Sequence, residues 1–315
     1  MIAASPFRIG TRGSDLALWQ ARRVADLISE RLGRPAELVV ISTRGDRIQN
    51  VAFDKMEGKG FFTKELQEAL LEGRVDVVVH SLKDLPTEEP EGLEIIAVPE
   101  RTTAADLLIA RQGLIHTAYD RPLGLPEGAR LGTSSLRRAA QALVVQPDLA
   151  IRALRGNVPT RIRKLREGQY DAILLAAAGV SRLELDMDGL DVLELPPEIM
   201  LPAAGQGALA IEVRRDDPMT ADIARLHDHD VARLVDAERS LLALMGGGCH
   251  LPLGCLATVE DDGSVRLRAV LGTVDEAITR AAVARVAAVT PEPEDAAMVC
   301  HRALMETQPS PPEAP

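Results

Sequence analysis

FRIGTRGSDLALWQARRVADLISERL, residues 7–32, sets a short apolar strand against an amphipathic helix across a glycine-containing turn. Residues 7–11 have strand character, and the helix predicted over 15–32 has apolar positions at Leu16, Trp19, Leu27 and Ile28. Gly10-Thr11-Arg12-Gly13-Ser14 joins the two and leads into Leu16 and then Gln20-Ala21. The pattern returns with one residue fewer at Gly132-Thr133-Ser134-Ser135, which leads into Leu136 and then Gln141-Ala142. Each copy places a hydroxyl residue at a strand-to-helix turn, where free backbone N–H groups and the helix dipole favour an anion. Two similar units with helix starts facing one cleft would explain the echo; so would the ordinary recurrence of such turns in α/β proteins.

Working outward, further strands are predicted at 38–41, 75–79 and 95–98, with a helix over 63–71. After a polar stretch, strands at 130–132, 151–154 and 172–176 alternate with helices at 136–145 and 159–167. Such alternation favours parallel sheets with helices on both faces. From about residue 222 the texture changes: a helix runs to Met245, alternating strands follow at 253–259 and 265–271, and a last helix lies near 294–305. This reads as a small α+β domain, with a proline-rich tail from Gln308 read as disordered.

A chain of 315 residues exceeds what one core usually serves, so two or three domains are expected. Aromatics make up only 2% of the residues, so the cores must be built from Leu, Val, Ile and Ala. The net charge of −11 repels polyanions and argues against a nucleic-acid or anionic-membrane binder. Any anion site is therefore a local concentration of Arg and Lys. Three cysteines, Cys249, Cys255 and Cys300, show neither metal-ligand nor paired disulfide spacing, which points to a reducing compartment. With no secretion signal and no long apolar run, the chain is read as cytoplasmic.

Several stretches carry chemistry. His80-Ser81-Leu82-Lys83-Asp84-Leu85-Pro86 follows an apolar strand, where a parallel sheet opens its ligand crevice. Lys83 beside Asp84 suits a site that holds a cationic intermediate and anionic substituents together; the plainer reading is a solvated ion pair closing a turn. Arg137 and Arg138 occupy the first turn of a helix, where the dipole opposes positive charge. Arg155-Gly156-Asn157-Val158-Pro159-Thr160-Arg161, Arg182 and Arg12 add guanidiniums near other turns. Planar forks placed against a dipole match carboxylates in paired hydrogen bonds, and would fit phosphate or nucleic acid nearly as well. No aromatic platform accompanies them, which counts against stacked bases. Gly205-Gln206-Gly207 lacks both nucleotide-loop fingerprints and reads as a hinge or crossing segment. His227-Asp228-His229-Asp230 has the composition of a metal cluster but sits on a polar helical stretch, read as a solvated face. Finally, Gly246-Gly247-Gly248-Cys249 puts a thiol where backbone can bend and a large group can approach, although a helix C-cap before a buried strand cysteine leaves the same pattern.

Taken in order, these segments resemble the hydroxymethylbilane synthase, or porphobilinogen deaminase, family. The resemblance also draws on Lys59-Gly60-Phe61-Phe62-Thr63-Lys64-Glu65-Leu66, on Leu154 to Val158, and on Leu201-Pro202-Ala203-Ala204 ahead of Gly205. It spans nearly the whole chain. It implies an enzyme that joins porphobilinogen units head to tail with release of ammonia, on a dipyrromethane cofactor held by a thioether to Cys249. It implies Asp84 as the catalytic carboxylate. It assigns Arg12, Ser14, Lys83, Thr133, Ser135, Arg137, Arg138, Arg155, Arg161, Arg182, Gln206, Lys59 and Phe62 to cofactor or substrate. It implies a monomer of two periplasmic-binding-protein-like lobes with parallel or mixed sheets, residues 1–99 with 201–221 and residues 100–200, plus a C-terminal α+β domain at 222–315. No metal, nucleic acid or membrane is expected. Asp15 stands where the family usually has Pro; Asp is a good helix-start residue but adds negative charge beside Arg12 and Ser14.

Overall fold

The computed structural model describes residues 5–43, 63–116, 121–248, 251–307 and 309–310. The predicted tail thus lies almost wholly outside the described residues. The chain divides into two compact units, Met1–Thr102 with Ala208–Ala232 and Thr103–Gly207 with Arg233–Pro315.

In the first unit, strands β1 (Phe7–Thr11), β2 (Ala36–Val40), β3 (Val77–Ser81) and β4 (Leu93–Ala97) are joined by the much later β10 (Leu209–Arg214) in the order β2-β1-β3-β10-β4. β1, β2 and β3 are parallel, whereas β10 runs antiparallel to both neighbours. Because alternate strand residues face opposite ways, the sheet has two apolar layers. Phe7, Ile9, Val77, Val79 and Ile211 pack with Val24, Leu27 and Ile28 of helix α1 (Asp15–Leu32). On the other face Val75, Val78 and Leu93 pack with Leu66, Ala69 and Leu70 of α2 (Lys64–Leu71).

The second unit repeats this plan. Its strands β5 (Asp106–Arg111), β6 (Arg130–Gly132), β7 (Ala150–Arg152), β8 (Ala172–Ala176) and β9 (Leu190–Leu195) stand in the order β7-β6-β8-β5-β9, again with one antiparallel strand, β5, in fourth place. Helices α3 (Leu136–Val145), α4 (Val158–Arg166) and α5 (Ala177–Arg182) complete it. The sequence echo is therefore structural. Gly10 and Gly132 hold equivalent places, and the reason for glycine is the same at both. A Cβ on Gly10 would come within 3.0 Å of Val78, and one on Gly132 within 2.8 Å of Tyr170.

After α6 (Thr220–Ala224) and α7 (His229–Leu244), strands β11 (Leu253–Val259), β12 (Val265–Val274) and β13 (Ala281–Thr290) form an antiparallel sheet that packs with α8 (Pro293–Thr307). This sheet seats closely within its unit. A Cβ on Gly272 would meet that of Ala140 on α3 at 2.6 Å, and one on Gly254 would meet the Leu201 carbonyl at 2.7 Å.

The α/β class, the small α+β segment and the mixed sheets are as the resemblance implies. The two antiparallel strands were not anticipated: Leu107 to Ala110 and Leu209 to Val213 are buried throughout, so they lack the alternation that marks a half-exposed strand. The helix expected from 222 to 245 is broken. Asp228 ends the break as a cap, its Oδ1 accepting from the backbone N–H groups of Asp230 and Val231, both at 3.1 Å.

Candidate active site

In the first unit the carboxyl ends of β1 and β3 lie side by side, because the strands are parallel neighbours in register at Ile9–Val77 and Gly10–Val78. β1 releases the chain into Arg12 and Ser14. Ser14 is extended (φ −74°, ψ 147°) and caps α1, its hydroxyl accepting from Ala17 N, with Asp15 in the first turn where negative charge complements the dipole. Asp15 thus fits the helix start. β3 passes into one 3-10 turn, Leu82–Asp84. Leu82 donates its N–H to Ala208 O at 3.0 Å, and Leu85 donates to Leu82 O at 3.2 Å. With Leu82 and Leu85 both buried, the turn leaves Lys83 half-buried and Asp84 exposed. Gln20 Nε2 donates to Ser81 Oγ at 2.7 Å, tying α1 to the base of the turn.

The equivalent edge of the second unit is built alike. Ser135 caps α3 through Arg138 N, and Thr133 Oγ1 accepts from Ser135 N at 3.1 Å. Ser134 Oγ bridges to both the carbonyl and the N–H of Leu154, which brings Arg155 to the same edge. Asn157 caps α4, Arg161 Nε donates to Gly156 O at 2.7 Å, and Lys164 Nζ donates to Arg155 O at 3.1 Å.

Arg137 and Arg138, assigned to cofactor or substrate by resemblance, lie buried on a carboxylate. Arg137 donates to Asp106 Oδ2 at 2.7 Å, and Arg138 donates to Oδ1 through Nη2 at 2.6 Å and Nε at 3.2 Å. Gln206, also assigned to the site, is fully buried and donates to Asp106 Oδ1 at 3.0 Å. Arg182 is buried as well and donates to Gly207 O at 2.8 Å. Burial alone would raise the Asp106 pKa, but the two guanidiniums outweigh it and hold the carboxyl well below the usual range. A depressed carboxyl stabilises the fold fully above its unfolded pKa near 3.8, and that contribution drains away as pH falls through the folded value. Asp106→Asn strands two buried guanidiniums, a loss of about 3 kcal/mol, and should lower the melting temperature by roughly 6–12 °C at pH 7. Acidification should narrow the gap to wild type. Equal melting temperatures at pH 7 would refute this role.

α7 ends in three glycines of positive φ, Gly246 (88°), Gly247 (59°) and Gly248 (126°), a run that only glycine adopts readily. Nothing lies within 4 Å of where a Cβ would stand on Gly246 or Gly248. Cys249, Lys59 and Phe62 lie outside the described residues.

A family model described as "Porphobilinogen deaminase, dipyromethane cofactor binding domain" matches residues 7–222, and one described as "Porphobilinogen deaminase, C-terminal domain" matches residues 232–306. The chain belongs to the porphobilinogen deaminase family. It is 46% identical over 269 residues to the porphobilinogen deaminase of Maridesulfovibrio salexigens, covering 85% of this chain and 84% of that one. The corresponding protein of Sulfurimonas denitrificans is 47% identical over 265 residues, 84% of this chain and 83% of that one. Among solved structures, a periplasmic binding protein of Salmonella typhimurium aligns with a TM-score of 0.43 and 14% identity, over 73% of this chain and 94% of that one.

Membership makes the chain an enzyme of tetrapyrrole biosynthesis, a transferase that joins porphobilinogen units into hydroxymethylbilane with release of ammonia, and makes dipyrromethane its cofactor. The residues present fit that group. A dipyrromethane bearing carboxylate side chains needs cationic and N–H donors, and in the second unit two guanidiniums share the one Asp106 carboxylate at a helix N-terminus, leaving net positive charge there.

Sequence reading missed Asp106, an acid heading an apolar strand whose partners lie 31, 32 and 100 residues further on. It also missed Glu238, fully buried on α7, whose oxygens accept from Gly205 N at 2.8 Å and Ala257 N at 2.9 Å. Within the His227–Asp230 segment His229 and Asp230 are exposed, as on a solvated face, whereas His227 and Asp228 are half-buried and engaged. His227 Nδ1 accepts from Val98 N at 3.2 Å, and Asp228 is the α7 cap. Cys255 and Cys300 are buried, and burial pushes the Cys300 thiol up to about 11, so it stays protonated at neutral pH. Among the described residues no helix is long and apolar enough to cross a membrane.

Proposed function

We propose that Asp84 is the carboxylate at which each porphobilinogen reacts, and that Cys249 holds the dipyrromethane through a thioether. The observation that carries the first assignment is an exposed carboxylate on a turn pinned at both ends by buried leucines, on the carboxyl edge shared with Arg12 and Ser14. When bound, the dipyrromethane supplies the pyrrole carbon that attacks the next substrate. Loss of ammonia leaves porphobilinogen electron-poor and cationic. A fixed carboxylate stabilises that developing charge, accepts hydrogen bonds from pyrrole N–H groups and can take up the proton released when the new carbon–carbon bond forms.

Every substrate brings an acetate and a propionate, so the remaining assigned residues bind carboxylates. Arg12, Ser14 and Lys83 would serve on the first unit; Thr133, Ser135, Arg155 and Arg161 on the second. Arg137, Arg138, Arg182 and Gln206 would act from buried positions, presenting positive charge and fixed dipoles, while Lys59 and Phe62 are carried by resemblance alone. Within a protein of net charge −11 these groups concentrate positive charge locally on each unit. The same reading takes the enzyme as a cytoplasmic monomer of three domains, with lobes at 1–99 plus 201–221 and at 100–200 and a C-terminal domain at 222–315, and with neither nucleic acid nor membrane as partner.

The test is stoichiometry: porphobilinogen consumed and ammonia released should match, four of each for every hydroxymethylbilane formed. Protein that binds porphobilinogen but releases no ammonia would instead be an anion-binding relative. Arg155→Leu should raise KM by roughly tenfold, the loss of one charge-assisted pair, or arrest synthesis before the fourth unit. Wild-type kinetics and an unchanged product distribution would remove Arg155 from the site.

A further inference from the structure

β3 reaches the Asp84 turn through a polar residue that the fold does not require. His80 is 6% exposed, and its Nε2 stands 2.9 Å from Glu212 Oε2 on β10, itself 2% exposed. Glu212 Oε1 accepts from Gln67 Nε2 of α2 at 2.9 Å. The three groups lie on the sheet face where Val75, Val78 and Leu93 meet Leu66, Ala69 and Leu70. Burying an imidazole, a carboxylate and an amide in such a layer costs stability unless their hydrogen bonds are all made.

The second unit shows what the same sheet does without them. Gly10 pairs with Val78 as Gly132 pairs with Ile173, so His80 corresponds to Leu175. Glu212 pairs with Val78 as Ile109 pairs with Ile173, so Glu212 corresponds to Ile109. Leu175 and Ile109 are 2% and 0% exposed and pack with Ile162 of α4 in one apolar cluster. Two copies of one sheet plan thus differ at this point, and the polar copy is the one whose third strand runs into Lys83 and Asp84.

Resting on the assignment of Asp84 above, we infer that His80 and Glu212 are positioning residues for the reaction: their hydrogen bond clamps the end of β3 against β10 and α2 so that the turn presents Asp84 at a fixed point. Asp84 lies four positions after His80, and the turn's other ties include the Ser81 hydroxyl to Gln20 and the Leu82 N–H to Ala208. Removing the clamp leaves the turn attached through its backbone to β10 but less tightly held against β10 and α2. A displacement of the order of 1 Å in a reacting group can cost ~100-fold in rate, so a looser turn should register in kcat rather than in substrate affinity.

The decisive variant copies the second unit into the first: His80→Leu with Glu212→Ile, and Gln67→Leu so that no amide is left unsatisfied. Since the other sheet already accommodates Leu and Ile at these places, the variant should fold and keep or raise its melting temperature. We expect kcat to fall at least ~10-fold with KM within about twofold and the covalent cofactor mass unchanged. We also expect backbone hydrogen exchange over 81–85 to quicken at least ~10-fold while exchange in the rest of β3 is unaltered. Wild-type kcat together with wild-type exchange over 81–85 would overturn the inference. If the triple variant fails to fold, Glu212→Gln, which keeps the volume but cannot accept from both donors, carries the same two readouts. Asp84→Asn run in parallel separates the cases. Full activity in Asp84→Asn would remove the Asp84 assignment, while the exchange result would still decide whether the clamp exists.

Discussion

Cys249→Ser protein should carry no dipyrromethane mass, gain none on incubation with porphobilinogen, and release hydroxymethylbilane at no measurable rate. The thioether needs a thiolate, since the ionised sulfur is the nucleophile and an ordinary cysteine ionises near pH 8.5. A serine hydroxyl stays un-ionised at any working pH and is far less nucleophilic. The substitution changes one atom at a site preceded by glycines of positive φ, so the circular dichroism spectrum should match wild type, while the melting temperature should fall by what the bound dipyrromethane contributes. Intact mass spectrometry of both proteins, as purified and after substrate, gives the answer in one experiment. Wild-type protein should show the cofactor excess and then further increments of whole substrate residues. An equal excess on Cys249→Ser would move the anchor elsewhere. Cys255 and Cys300, both buried, would then be the thiols left to account for it.

Asp84→Asn should keep the cofactor mass and lose at least ~100-fold in kcat, equivalent to about 3 kcal/mol of transition-state stabilisation. The amide preserves the shape of the turn, whose geometry comes from Leu82, Leu85 and the Ala208 carbonyl rather than from the carboxylate. What it lacks is negative charge where the substrate becomes cationic, and a basic oxygen to receive a proton. KM should change little, since ground-state affinity falls to the arginines. A variant that turns over at wild-type speed would exclude Asp84 as the reacting carboxylate.

How far the sequence carried these assignments depended on whether the cause was local. The hydroxyl-bearing strand-to-helix turns at Ser14 and Ser135 were legible because a helix start is decided within a few residues, and in the fold both serines cap their helices by accepting from the third helical N–H. Strand 172–176 and helix 136–145 were legible to the residue for the same reason. Asp106 was not: its partners stand 31, 32 and 100 residues away, and nothing near it in sequence reveals that two guanidiniums and an amide converge on it. The arginines were correctly singled out as set against a dipole, but their burial on an internal carboxylate is a tertiary fact. The His227–Asp230 stretch was legible in part: His229 and Asp230 are exposed as a solvated face requires, but composition does not reveal that His227 accepts from Val98 and that Asp228 caps a helix.

The late arrival of β10 has a consequence for the newborn chain. All five strands of the arginine-bearing sheet lie between residues 106 and 195, an uninterrupted stretch. The sheet that bears Asp84 waits for residues 209–214, more than a hundred positions after β4, and until they emerge from the ribosome β3 and β4 face each other across a missing neighbour. Vectorial synthesis therefore allows the second sheet to close before the first, the reverse of their order in the gene. Unpaired strand edges are what folding chaperones shield, and here the exposed edge is the strand that ends in the reacting turn. A nascent chain stalled before residue 209 should resist protease over 103–207 and be cut within the first hundred residues; release of the stall should protect both together.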